Sequence, residues 1–100
     1  MLDKVCDAEL IILLRKSKTR RMVLGYLAGI YPKKSYAAEI ARKTDLRPTD
    51  VCGALNGVPN RFKKENSLVE LGLVEKHEEK DGCLYSTTKE GREILHSLGI

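Results

Sequence analysis

The stretch Ser35-Tyr36-Ala37-Ala38-Glu39-Ile40-Ala41-Arg42-Lys43-Thr44-Asp45-Leu46-Arg47-Pro48-Thr49-Asp50-Val51-Cys52-Gly53-Ala54-Leu55 decides how this chain folds. Ser35 is placed to cap a helix by accepting a backbone N–H, and Ala37, Ile40 and Ala41 then share one small apolar face at i, i+3 and i+4. Thr44-Asp45-Leu46 breaks that period, and Asp is among the few side chains that tolerate a left-handed backbone. Pro48 stands where a second helix has its first residue, a position at which the missing N–H costs nothing. Val51 and Leu55, four apart, return to the core. Two short helices joined by a tight turn, with small residues where they touch and polar residues outside, make a helix-turn-helix.

Charge is distributed unevenly around this motif. The formal net charge is +4, but residues 15–64 hold 13 Lys or Arg against Glu39, Asp45 and Asp50, a local net of +10. Residues 1–14 and 65–100 come to −2 and −4. A polyanion would therefore dock at the motif and be repelled elsewhere. At 100 residues, 42% hydrophobic and 32% charged, the chain suits a single folded domain, 1–100, with an adequate but not generous core. The apolar run 10–14 is far shorter than the roughly 20 residues a membrane span needs, and acidic residues precede it where a signal peptide would be basic. A cytoplasmic protein is expected. Cys6, Cys52 and Cys83 are odd in number and widely spaced, so neither a disulfide framework nor a metal site is implied, and reduced thiols packing as small hydrophobes are expected.

Before the motif, residues 1–16 read as an amphipathic helix whose Leu10-Ile11-Ile12-Leu13-Leu14 spreads apolar side chains over more than one face. Its second cover is either the domain's own core or another copy of the chain, which would make a homodimer. Ser17 or Thr19 starts the next helix, in which Met22, Val23, Tyr26, Leu27 and Ile30 recur at helical spacing. After the motif, Gly57-Val58-Pro59 ends the second helix. Ser67 and Glu70 have capping-box spacing, and one helix from about 60 to 71 is the competing reading. Residues 73–78 and 83–87 alternate like strands around Glu79-Lys80-Asp81-Gly82, where Asp-Gly signals a hairpin turn. Thr88, or else a Thr87/Glu90 box, caps a last helix carrying Ile94, Leu95 and Leu98. The expected fold class is mostly α with a small β-hairpin, an α+β domain. His77 and His96 are isolated, and no Gly-rich phosphate loop, nucleophile arrangement or metal-ligand spacing occurs. No catalytic residue, metal or cofactor is expected.

The residues Glu39-Ile40-Ala41, Leu46, Val51 and Leu55 resemble the helix-turn-helix of winged-helix transcriptional regulators. Thr19-Arg20-Arg21 before Val23-Leu24 and Leu27 resembles the first core helix of the arsenic-repressor type. Leu71-Gly72-Leu73-Val74 resembles the link from recognition helix to wing, and residues 85–91 resemble the passage from strand to helix. The resemblance covers about residues 14–98, and the order of its parts is more telling than any one of them. It implies a winged helix-turn-helix with extra N-terminal and C-terminal helices, a wing at 72–87, and a small stand-alone regulator of the kind common in archaea. The chain departs from the pattern with Asp45 in place of the usual Gly, Arg47 at the usual Ser or Thr cap, and a Pro-containing break before the wing link.

On that basis helix 48–56 enters the major groove of double-stranded DNA. Arg47, which cannot cap, is expected on guanine or phosphate, with Thr49 and Asn56 on base edges, although Asn56 reads equally as an ordinary exposed amide. Gly53, facing outward, would let a base or backbone come close. Lys33 and Lys34, beside a helix N-terminus, and Asn60, Arg61, Lys63 and Lys64 are expected on phosphates. Ser35 and Tyr36 would add hydroxyl contacts, with a core or rim role as the other reading of Tyr36. Arg20 and Arg21 have a minor phosphate role. The wing tip offers Lys80 among Glu78, Glu79 and Asp81, so it adds little beyond that lysine. The alternative is a winged-helix protein-interaction module within a transcription or replication assembly, with little specific DNA binding.

Overall fold

The computed structural model describes residues 7–57 and 67–98. The fold is α+β. Its helices are α1 (Asp7–Lys16), α2 (Lys18–Ile30), α3 (Ala37–Thr44), α4 (Pro48–Asn56) and α5 (Lys89–Ser97), and its strands are β1 (Ser35–Tyr36), β2 (Val74–Glu79) and β3 (Gly82–Thr87). The sheet is antiparallel in the order β1-β3-β2, so the expected hairpin gains a third, two-residue strand.

α2 lies at the centre, in contact with α1, α3, α4, α5 and β3. Ser17 is its cap, accepting the Arg20 N–H at 3.2 Å, and Val23, Leu24 and Leu27 are completely buried. Leu14, Ile40, Val51, Leu55, Leu68 and Leu73 complete the core around them. On α1, Leu10 and Leu14 turn inward while Ile12 stays 54% exposed.

Ser35 does not cap α3. It is paired with Tyr85 in the sheet, two residues before the helix begins at Ala37, and its hydroxyl donates to Glu39 instead of accepting a backbone N–H. The cap position falls to Tyr36, whose side chain makes no capping bond. α3 ends as the sequence suggests: Asp45 adopts φ 60°, ψ 34° and returns its N–H to the Ala41 carbonyl. Among the described residues it is the only non-glycine with positive φ. Pro48 then opens α4, and Arg47 before it is extended with no side-chain capping bond.

Residues 67–73 are turns and bends, so the competing helix does not extend to 71, and its residues 60–66 lie outside the described residues. Ser67 Oγ accepts the Glu70 N–H at 3.3 Å, so the Ser67/Glu70 spacing closes a turn, and the Leu73 and Val74 amides both reach the Leu68 carbonyl. The β2–β3 loop is Lys80-Asp81, with Glu79 opposite Gly82. Neither loop residue has positive φ. Gly82 supplies it at 136°, one position later than an Asp-Gly turn pair would. Thr88 is the α5 cap, accepting the Gly91 N–H at 3.0 Å and donating to the Gly72 carbonyl at 2.7 Å, which ties the end of the hairpin back to its start. The Arg92 guanidinium lies 3.6 Å from the Tyr31 ring centroid and donates to the Thr87 carbonyl at 3.3 Å, closing α5 over the α2–β1 loop. No helix among the described residues is long and apolar enough to cross a membrane.

Two glycines provide a matched test of this packing. A Cβ on Gly91 would stand 2.2 Å from the Leu73 carbonyl oxygen and 3.2 Å from a Leu24 methyl, whereas one on Gly29, within α2, would meet nothing within 4 Å. Gly91→Ala should therefore cost about 3 kcal/mol, and Gly29→Ala should gain about 0.4–1 kcal/mol by restricting the unfolded chain, both read from urea denaturation midpoints.

Candidate nucleic-acid interface

α4 owes its orientation to a broad buried arc. Val51, Gly53, Ala54 and Leu55 all point inward because α2 and α3 both pack on this helix. Gly53 is thus buried and not outward, so it is not displayed to a base. Thr49 and Cys52 occupy the outward side and are exposed, with Asn56 half-buried at the far end.

Asn56 is committed internally. Its Nδ2 donates to the Tyr85 hydroxyl at 2.9 Å, a bond spanning 29 residues that ties the end of α4 to β3. Nothing in the local sequence signals this pairing; only the sheet brings Tyr85 there. Arg47 has an internal partner as well. Its Nε donates to Asp50 Oδ2 at 3.0 Å and its Nη2 approaches Oδ1 at 3.5 Å, although the arginine side chain is 69% exposed against 15% for the carboxylate. Arg47 therefore combines a partner within the chain with an exposed side chain.

Lys33 and Lys34 are exposed in the α2–β1 loop. Ser35 is 1% exposed, and its hydroxyl donates to Glu39 Oε1 at 2.7 Å, so it offers nothing to a surface ligand. Tyr36 is 40% exposed at the sheet edge, with its ring over Gly82: a Cβ built there would lie 3.7 Å away. This is the rim role. Lys80 is exposed at the hairpin loop. Asn60, Arg61, Lys63 and Lys64 lie outside the described residues. Arg20 is buried, which lowers its pKa through desolvation, and Arg21 donates to the Leu14 carbonyl at 3.0 Å and to the Arg15 carbonyl. Arg21 thus secures the α1–α2 junction, and the buried Arg20 is not displayed for phosphate.

Two further exposed cations join the candidates. Arg42 and Lys43 occupy the last turn of α3, directly before the Asp45 turn and Arg47. Their position just after the apolar pair Ile40-Ala41 would have placed them on the outside. His77 is half-buried, its Nε2 3.1 Å from Ser86 Oγ and 3.3 Å from Glu75 Oε1, so it is a sheet-face residue and not a freely exposed one. Cys52 is exposed and Cys83 partly buried, both as free thiols, so Cys52 is not packed as a small hydrophobe; Cys6 lies outside the described residues. Among the described residues no cluster of His, Cys, Asp or Glu could hold a metal ion.

A family model described as EarA-like matches residues 10–98. The chain belongs to the EarA-like family. The match begins within α1 and runs to the end of α5, so the family unit includes the helix pair, the hairpin and the flanking helices together. An uncharacterized protein of Methanocaldococcus jannaschii is 38% identical over 92 residues, covering 92% of this chain and 83% of the relative's own length. No solved structure matches the chain.

The Asn56–Tyr85 bond has a measurable consequence. Asn56→Ala and Tyr85→Phe should each lose about 1 kcal/mol of stability, and the double variant should lose scarcely more than either single one in a urea-denaturation cycle.

Proposed function

We propose that this protein is a sequence-specific, double-stranded DNA-binding transcriptional regulator of winged helix-turn-helix type. In this reading α3 and α4 are the helix-turn-helix, the N-terminal half of α4 enters the major groove, and β2–β3 is the wing. The observation that carries the proposal is the turn between α3 and α4. Arg42, Lys43 and Arg47 are exposed around it, and Thr49 and Cys52 continue that exposure along the side of α4 opposite its buried arc. A helix anchored on one side and bare on the other, opening on a basic turn, matches what the major groove admits. The length and position of α3 and α4, the resemblance of residues 14–98 to winged-helix regulators, and the +10 net charge of residues 15–64 support the same reading.

The roles divide as follows. Arg47 and Thr49 face base edges. Lys33, Lys34, Arg42 and Lys43 hold phosphates, joined by Asn60, Arg61, Lys63 and Lys64. Asn56 is withdrawn from the base readers because its amide is engaged by Tyr85. A homodimer through α1 belongs to this proposal, supported by the exposure of Ile12 beside the partly buried Ile11. A monomeric mass by light scattering at micromolar concentration would remove the dimer without touching the DNA-binding reading.

The hairpin favours a second reading. Glu75, Glu78, Glu79 and Asp81 are all exposed there against Lys76 and Lys80, so the wing repels phosphate and suits a basic protein surface instead. Gel-shift titration on preferred and random duplexes at two salt concentrations separates the two. DNA binding predicts that Arg47→Ala loses about 1–3 kcal/mol on the preferred duplex only. Lys34→Ala should weaken all duplexes alike and reduce the salt slope by about one. Binding that vanishes on every duplex at physiological salt, together with a specific protein pull-down, decides for the docking module.

A further inference from the structure

The pair at the mouth of α4 carries more than a charge balance. Arg47 sits immediately before Pro48, whose ring restricts the preceding backbone to extended conformations, and Arg47 is found there at φ −72°, ψ 141°. Its side chain then folds back over the first turn to Asp50, the third residue of the helix. The carboxylate lies along one edge of the guanidinium, taking Nε–H at 3.0 Å and approaching Nη2 at 3.5 Å. A planar guanidinium has two such edges. The second, formed by Nη1 and the other N–H of Nη2, is the fork that fits O6 and N7 of guanine. With its side chain 69% exposed, Arg47 keeps that fork open to solvent while the 15% exposed carboxylate restrains its plane from behind.

We propose that Asp50 is a positioning residue for base recognition, holding Arg47 so that its remaining fork is presented to a guanine in the major groove. This rests on the DNA-binding reading above. The charges support recognition of a base over a phosphate. An arginine serving only as a phosphate contact gains nothing from a carboxylate at 3.0 Å, which cancels much of its field and repels the same phosphate. A restrained, nearly neutral pair contributes little to binding any duplex and much to choosing one. An exposed ion pair also adds little to folding. The other service Asp50 performs, placing a negative charge near the positive end of α4, needs an acid at this position but not a particular length of side chain.

That difference supplies the test. The wild-type motif is first defined by selecting bound sites from randomised duplexes, and Asp50→Asn and Asp50→Glu are then compared on it, with thermal melts as the folding control. Asp50→Asn should lower the preference for guanine at one base pair about tenfold, leave the other positions unchanged, and leave equal or raise affinity for random duplex. Arg47→Ala should abolish preference at that same base pair, and adding Asp50→Asn to it should change nothing further there. Asp50→Glu keeps the acid at the helix start and should melt with the wild type, yet lose guanine preference because one added methylene moves the carboxylate off the guanidinium edge. A motif unchanged in both Asp50 variants, or one weakened equally at every position, overturns the assignment while leaving DNA binding intact. A wild-type protein that binds no duplex at low salt overturns both.

Discussion

The anchoring of α4 is the constraint on which the surface depends. Three unrelated devices hold it. Val51, Ala54 and Leu55 are completely buried. Its last carbonyls are taken by chain that arrives from beyond it, since the Leu68 and Val69 amides donate to Ala54 and Leu55 at 2.9 and 3.1 Å. Its final side chain, Asn56, is bonded to Tyr85. The buried arc leaves Thr49 and Cys52 outside, and the carbonyl and amide bonds at the C-terminal end add to the restraint. The same carbonyl bonds connect α4 directly to the turn that begins the hairpin, so the sheet and the outward face of α4 are parts of one rigid arrangement.

The local punctuation of the chain was legible and its long-range pairings were not. Asp45, Pro48, Ser17 and Thr88 act through neighbours within four residues, and each behaves as its side-chain chemistry dictates: a left-handed cap, a first helical residue and two N-caps. Ser35 misleads for the opposite reason. It has the side chain of a cap and the spacing of a cap, but a strand 50 residues away claims its backbone, and a two-residue strand leaves no periodicity to detect. Asn56 and Gly53 fail in related ways. The first finds a partner only after the sheet has formed. The second lies at the border of an apolar arc, which is broad because two helices pack on it. The partner of Arg47 was within reach of sequence reasoning, because an acid three residues into a helix is spaced to meet the residue before it.

Energetically, the described polar side chains fall into two groups. Ser35 and Asn56 make bonds that are short, partly shielded and tied to secondary-structure ends, and removing a partner there would strand a desolvated group. Arg42, Lys43, Arg47, Lys33 and Lys34 stand in water, where changes cost the fold little. A surface whose charges are dispensable to folding can vary to suit a ligand while the scaffold beneath it stays put. That separation is what allows the binding variants to be interpreted without correcting for lost stability.

The hairpin then takes on an orienting part. Its exposed carboxylates act over roughly 8–10 Å at ordinary ionic strength, about the reach of the loop itself. A duplex approaching the α3–α4 turn is attracted at Arg42 and Lys43 and turned away at Glu78, Glu79 and Asp81, with Lys80 alone softening the tip. A polyanion that met a uniformly basic surface could lie across it at many angles. In the DNA-binding proposal, one that meets basic and acidic regions on the same protein has fewer. Under that proposal, charge of the wrong sign on the hairpin limits how a duplex lies on the α3–α4 surface and does not only oppose nucleic acid.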